Sequence, residues 1–170
     1  VGAIRAIVID PRSSATVYAA TTDGVMKTTD GGDRWTKTGA LKIRDTRALA
    51  LDPRAPDVLY AGSANAIISK TTDGGGTWQP LDAAIAKAVP IRAIVVDPQD
   101  SQTVYAAVPR SGVLKTSDGG MTWNPFVEGL TELDVRGLAI DPSAPATIYA
   151  ATNGKGLFKS TDAGKTWQES

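Results

Sequence analysis

The segment TTDGGDRW, from Thr28 to Trp35, decides the fold of this chain because three variants of it follow. The later copies are TTDGGGTW at 71–78, TSDGGMTW at 116–123 and STDAGKTW at 160–167. The aspartate at the third position of each copy recurs about every 44 residues, at Asp30, Asp73, Asp118 and Asp162. A segment used four times at near-even spacing indicates repeated architecture rather than one active site.

Each repeat carries the signals of four short β-strands separated by turns. The first strand, RAIVID in the first repeat, ends at an Asp-Pro dipeptide, where proline cannot continue a central ladder. The second is TVYAAT, the third GVMKT, and the fourth begins at the tryptophan of the repeated segment. The sequence therefore predicts one all-β domain over residues 1–170, with repeats at about 1–43, 44–88, 89–132 and 133–170.

Alternation along the first strand indicates how the repeats pack together. Ile7 and Ile9 form a large apolar face, and Ala6 and Val8 form a smaller one on the other side. A strand that is apolar on both faces is covered on both, as in the radially stacked four-stranded antiparallel blades of a β-propeller. We expect four blades, which either close alone or form half of a larger ring.

The segment itself resembles the Asp-box, or BNR repeat, S/T-x-D-x-G-x-T-W. Its hosts include sialidases, sortilin-type receptors, photosystem assembly factors of the YCF48 type and xyloglucanase-like glycoside hydrolases. The resemblance implies that each box is the turn between the third and fourth strands. Its carboxylate would accept backbone N–H groups, its glycine would permit positive φ, and its tryptophan would pack on the turn. These structural residues are Asp30, Gly32, Trp35, Asp73, Gly75, Trp78, Asp118, Gly120, Trp123, Asp162, Gly164 and Trp167.

Composition excludes several classes of function. Eighteen basic and 18 acidic residues balance, which argues against a nucleic-acid partner. The chain has no cysteine and no histidine, so thiol chemistry, disulfides and imidazole metal sites are excluded. Only one carboxylate recurs in every box, too few for a calcium loop, and we expect neither a metal nor a cofactor. No apolar run approaches a membrane span. We expect an extracellular or periplasmic protein.

One basic residue recurs at the start of every first strand. Arg5, Arg47, Arg92 and Arg136 would ring one mouth of the propeller channel and bind a carboxylate, phosphate or acidic sugar. The alternative is that each arginine pairs with a neighbouring acid such as Asp45 or Asp134. Lysines also recur three residues before each box aspartate, and we expect them to form a solvated stripe. They are Lys27, Lys70, Lys115 and Lys159.

Evidence for catalysis in the sequence is weak. A glycosidase needs two carboxylates in a cleft, and the loops offer only the common acids Asp45, Asp82, Glu128, Glu132 and Asp134. All four tryptophans lie in boxes and all four tyrosines in second strands, which leaves almost no aromatic residue to stack on sugars. A tyrosine nucleophile of the sialidase type is equally unsupported.

We therefore predict a non-catalytic propeller module that binds a protein or glycan, or builds a larger assembly. Two alternatives remain: a piece of a glycoside hydrolase of the xyloglucanase or sialidase type, and a repeat fragment without its own function. Because rings of six to eight blades are more usual for such repeats, we also expect self-association, for example of two chains into an eight-bladed ring.

Overall fold

A computed structural model describes residues 2–39, 45–81 and 89–170. Sixteen β-strands in these residues form four sheets of four strands, and no helix is found in them. The expected carboxylate Asp82 and parts of the loops 37–46 and 81–90 lie outside the described residues.

The strands follow one another within each sheet without crossovers, and every pairing is antiparallel. The first sheet contains β1 (Ile4–Asp10), β2 (Ser13–Thr21), β3 (Gly24–Thr28) and β4 (Thr36–Lys37). The second contains β5 (Thr46–Leu51), β6 (Leu59–Ser63), β7 (Ile68–Thr71) and β8 (Gln79–Leu81). The third contains β9 (Ala93–Val96), β10 (Val104–Val108), β11 (Gly112–Thr116) and β12 (Asn124–Pro125). The fourth contains β13 (Val135–Ile140), β14 (Ile148–Thr152), β15 (Leu157–Ser160) and β16 (Gln168–Glu169).

The blades stack with the large apolar face of one against the small apolar face of the preceding blade. Between the second and third blades, Ala48 and Ala50 share one cluster with Ile94 and Val96. A similar cluster joins each of the other neighbouring pairs. The alternation read from the first strand therefore places the core at the interfaces between blades.

The first strands β1, β5, β9 and β13 lie side by side in chain order along an axial groove. Four blades of four antiparallel strands confirm the predicted all-β fold. The described residues form an arc, however, and do not close into a ring: Ile7 and Ile9 of the first blade are 60% and 57% exposed. In the inner blades a neighbouring blade covers the residues at these positions. At the two ends of the arc this neighbouring blade is absent from the described residues.

The two edges of the arc differ in their loops. At one edge the Asp-boxes of the second, third and fourth blades touch the turn between the first and second strands of the same blade; for example, the Gly74 N–H donates to the Asp57 carbonyl at 2.9 Å. At the other edge, called here the loop end, interblade loops contact the hairpin tips. There the Arg110 N–H donates to the Leu133 carbonyl at 3.1 Å.

Each Asp-box holds its own turn through two side chains. In the third box the Thr116 hydroxyl donates to Asp118 at 2.7 Å, and the Gly120 N–H donates to the Thr116 oxygen at 3.0 Å. The Asp118 carboxylate also accepts from the backbone and hydroxyl of Thr122, at 2.9 and 2.6 Å. The serine or threonine, the aspartate and the glycine make the same contacts in the other boxes, with Asp30 and Gly32, Asp73 and Gly75, and Asp162 and Gly164.

Two of the four box tryptophans link neighbouring blades. The Trp78 indole donates to the Thr38 hydroxyl of the first blade at 3.2 Å, and the Trp167 indole donates to the Phe126 carbonyl of the third at 3.0 Å. Trp123 instead donates to Gly120 in its own box at 3.2 Å. Trp35 is half-buried and belongs to the first blade, which no described blade precedes.

The recurring lysines do not form a solvated stripe, so that expectation was wrong for three of the four. The ammonium groups of Lys27, Lys70 and Lys115 donate across the blade interfaces to carbonyl oxygens at 3.0–3.1 Å. Each also lies 5.0–5.2 Å from the ring centre of the tyrosine in its own blade, a cation–π distance. The spacing of the lysines in the sequence does not show that the next blade places a backbone carbonyl within reach of each ammonium group.

Acid should weaken the fold through the boxes. Hydrogen bonds from Thr77 and Thr71 lower the pKa of Asp73 to about 2, and bonds from Thr166 and Ser160 lower that of Asp162 to about 2. Because these pKa values are depressed, the stabilisation is complete above about pH 4 and is lost as the pH falls towards 2. We expect Asp73→Asn to lower the melting temperature at pH 7 and to flatten its pH dependence between 4 and 2.

Circular dichroism melts from pH 7 to 2 would measure this effect. Asp33→Asn, which removes a carboxylate from an exposed position in the first box, is the matched control. Equal pH profiles for the wild-type chain and Asp73→Asn would contradict the role given to the Asp73 carboxylate.

Candidate functional site

The four recurrent arginines lie at the loop end of the groove. Arg5, Arg47 and Arg136 belong to β1, β5 and β13, and Arg92 directly precedes β9. Because the first strands are neighbours along the groove, the four guanidinium groups form a row that follows the arc.

Three of these arginines contact carboxylates. Arg47 binds Asp45 at 2.7 Å, and Arg5 lies 3.7 Å from the same carboxylate, which therefore joins the first two blades. Arg136 binds Asp134 at 2.6 Å. Pairing with Asp45 or Asp134, the alternative to a ring of free arginines, describes the geometry of these three side chains.

Arg92 differs from the others. Its Nε is buried and has no hydrogen-bond partner among the described residues. Burial lowers the pKa of Arg92, and repulsion from the positive charges of Arg136 and Arg47 lowers it further. A guanidinium nevertheless stays protonated at neutral pH, so the chain holds a partly desolvated cation there. Such a group gains from an anion that restores its lost hydrogen bonds.

The reason for this difference is visible in the sequence. An aspartate stands two residues before Arg47 and Arg136, but Pro90 stands two residues before Arg92. Proline offers no carboxylate and no N–H. The repeats themselves therefore indicate an arginine without its usual partner, whereas the recurrent position alone predicts four equivalent arginines.

A pocket of about 600 Å³ opens beside Arg92, between the third and fourth blades. Arg92, Arg110 and Arg136 supply three positive charges to its lining, and Glu132 and Asp134 supply two negative ones. Its remaining walls are apolar and come from Val89, Pro90, Pro109 and Leu133. The pocket therefore combines a net positive charge with apolar surface.

Arg110 was not singled out from the sequence. It occupies the left-handed region with φ 70°, which is uncommon for a residue with a side chain. The hydrogen bond from its backbone N–H to Leu133 holds the tip against the loop before β13. This contact brings Arg110 to the pocket, and it depends on a long-range packing that a repeat pattern does not encode.

The acids of the pocket are committed to hydrogen bonds. Asp134 accepts from Arg136 at 2.6 Å and from the Asn153 amide at 3.0 Å. The bond from Arg136 is the main cause that lowers the pKa of Asp134. The Asp134 backbone N–H in turn donates to the Glu132 carboxylate at 2.9 Å. Asp134 is therefore held ionised and is unsuited to donate a proton as a general acid.

In the residues that the structure describes, no group of three or more acidic side chains is arranged to hold a metal ion. Over the same residues, no helix has the length and hydropathy needed to span a bilayer.

Comparison with known proteins supports the repeat assignment. A BNR/Asp-box repeat family model matches residues 158–169. A search of curated protein sequences gives no match.

Solved structures that share the fold over nearly the whole chain include these three. A GH74 xyloglucanase from Xanthomonas campestris superposes with a TM-score of 0.82 at 20% identity, covering 99% of this chain and 30% of the enzyme. YCF48 bound to D1 peptide gives 0.71 at 20% identity, covering 99% and 53%. The extracellular domain of a one-component system from B. thetaiotaomicron gives 0.76 at 16% identity, covering 98% and 22%. The chain thus spans less than a third of the xyloglucanase and about half of YCF48.

Four sheets that each carry one Asp-box, the family match and these neighbours all agree. The chain has a β-propeller fold, and residues 158–169 of its fourth blade match the BNR/Asp-box repeat family model.

Proposed function

We propose that this chain is a non-catalytic propeller module that binds an acidic segment of a partner protein in the pocket beside Arg92. The observation that carries the proposal is the buried Arg92 Nε without a partner, next to Arg110 and Arg136. A carboxylate can accept two parallel hydrogen bonds from one guanidinium, which would compensate the desolvation of Arg92.

The walls of the pocket favour a peptide over a glycan. Sugar rings stack on flat aromatic faces, and none of the described residues that line this pocket is aromatic. Proline and aliphatic side chains suit the apolar parts of an extended peptide. The YCF48 structure with a bound peptide supports peptide binding for this chain too, and the extracellular domain among the neighbours supports an extracellular or periplasmic location.

A second candidate, part of a glycoside hydrolase, rests on the likeness to the GH74 xyloglucanase. The lowered pKa of Asp134 leaves that side chain unsuited to the role of the general acid, and no aromatic residue is among the described residues that line the pocket as a platform for sugars. We expect no reducing sugar to be released from xyloglucan. Release that disappears in Asp134→Asn would overturn the non-catalytic proposal.

Binding of a fluorescein-labelled hexaglutamate peptide, followed by fluorescence anisotropy, would test the site. We expect Arg92→Gln to weaken binding by about tenfold or more, since a hydrogen bond to a charged group contributes about 1.5–3 kcal/mol. Binding by the wild-type chain should also weaken between low and physiological salt.

Arg34→Gln is the matched control, because it removes the same charge at an exposed position in the first Asp-box, at the other edge of the arc. Equal losses for Arg92→Gln and Arg34→Gln would mean that the peptide responds only to overall charge, and would contradict the pocket as its site.

A further inference from the structure

The three blade interfaces share one polar contact in addition to their apolar packing. A tyrosine of the second strand and a lysine of the third both donate to one backbone carbonyl of the next blade, directly after its box aspartate. Tyr18 and Lys27 donate to Gly74 at 3.2 and 3.1 Å. Tyr60 and Lys70 donate to Gly119 at 3.2 and 3.0 Å, and Tyr105 and Lys115 donate to Ala163, both at 3.1 Å.

The fourth blade carries the same donors on a free face, called here the tail face: Ala139, Tyr149, Ala151, Leu157 and Lys159. Lys159 lies 5.6 Å from the Tyr149 ring centre, as in the other blades, but no described carbonyl accepts from either side chain. Leu157 is 39% exposed, whereas Val113 at the same position of the third blade is fully buried. The tail face therefore presents one half of the blade interface without its partner.

The first blade presents the other half, called here the head face: Ile7, Ile9, Gly31 and Trp35. Leu49, the counterpart of Ile7 in the second blade, is only 6% exposed. Gly31 follows the box aspartate, as Gly74 does, and its φ of 76° is close to the 65° of Gly74. Its carbonyl therefore belongs to a turn of the same shape, yet Gly31 is exposed and Gly74 is buried.

The head and tail faces also carry the donor and the acceptor of a second interblade contact, in which a box tryptophan donates to the residue after the fourth strand of the preceding blade. The Trp78 indole donates to Thr38, the residue after β4, whose N–H donates to the Val25 carbonyl at 3.0 Å. Ser170 follows β16 in the same way, and its N–H donates to the Leu157 carbonyl at 2.9 Å. A hydroxyl at the tail face thus occupies the position from which Thr38 accepts a tryptophan N–H.

We propose that the tail face binds the head face of a second copy of this chain. Tyr149 and Lys159 of one copy donate to the Gly31 carbonyl of the other, Leu157 packs against its Ile7 and Ile9, and its Trp35 donates to Ser170. A second copy is the occupant because the two faces of this one chain are complementary to each other, while the open arc keeps them apart within a single molecule. The contact is heterologous and repeats until the assembly closes.

Light scattering behind a sizing column, at concentrations from low to high micromolar, would test this contact. We expect the wild-type chain to form a species with the mass of two or more chains of 17.7 kDa. Ile7→Arg and Leu157→Arg each bury an unpaired charge in the contact, and each should weaken association by about 100-fold or more. Both positions are exposed in the single chain, so both variants should remain folded by circular dichroism.

Mixing the two variants distinguishes this contact from other modes of association. Ile7→Arg retains an intact tail and Leu157→Arg an intact head, so the mixture should form a heterodimer although neither variant associates alone. Met121→Arg, at a site 74% exposed and outside both faces, should associate like the wild-type chain.

Two results would overturn the proposal. One is a wild-type chain that stays monomeric throughout the concentration range, which would leave both faces to other partners. The other is a mixture that stays monomeric while the wild-type chain associates, which would show that the contact is not head to tail.

Discussion

Gly129→Ala is expected to cost about 3 kcal/mol or more of folding free energy, a loss of about 6–12 °C in melting temperature for a chain of this size. Gly129 has φ 80°, and a Cβ at this position would lie 2.2 Å from the Trp167 carbonyl oxygen. Backbone atoms cannot move aside cheaply there, because the Trp167 N–H donates to the neighbouring Glu128 carbonyl at 2.8 Å. Thermal unfolding followed by circular dichroism measures the change.

Gly156→Ala separates the two causes of this loss. Gly156 also has a positive φ, 71°, but a Cβ there would meet no atom within 4 Å. It should therefore show only the conformational cost of a left-handed alanine, about 1–2 kcal/mol. If the two variants melt at the same temperature, the steric contact with Trp167 contributes nothing.

Tyr60→Ala is expected to destabilise the chain by about 3–5 kcal/mol, as is usual for the loss of a buried aromatic ring. Tyr60 is fully buried between the second and third blades, and its hydroxyl donates to Gly119. Burial also raises the pKa of Tyr60 to about 12, so the hydroxyl remains a donor throughout the physiological range. Chemical denaturation at low protein concentration would give the free energy difference.

The repeat supplies the matched control for this change. Tyr149 has the same place in its blade but is half-buried and has no described blade beyond it. Tyr149→Ala should therefore cost the single chain about 1–2 kcal/mol less than Tyr60→Ala. Equal losses would show that the tyrosine stabilises its own blade rather than the contact with the next one.

The parts of the fold that were predictable depend on short stretches of sequence. An Asp-box turn is closed by hydrogen bonds between residues at most four positions apart, as between Thr116 and Asp118 and between Asp118 and Thr122. The strand alternation that directs Ala48 and Leu49 to opposite blades is equally local. Four copies of each signal made the four-bladed architecture readable without any long-range information.

The parts that were not predictable depend on where one blade lies against the next. Whether four blades close depends on the angle at each interface, which many side chains determine together. The same geometry places the Gly119 carbonyl within reach of Lys70. Because the sequence does not show this geometry, the recurrence of the lysines before each box suggested exposed side chains. The backbone hydrogen bond from Arg110 to Leu133 holds this hairpin tip beside the pocket that Arg92 lines.

The tyrosine and lysine donors point from each blade to its successor at all three interfaces, which gives the array a direction along the chain. Each junction uses the same residue types, and the acceptor is a main-chain carbonyl that any residue provides. A blade gained or lost by gene duplication or unequal recombination would therefore meet neighbours that already fit it. The number of repeats is thus free to change during evolution while every junction keeps its chemistry.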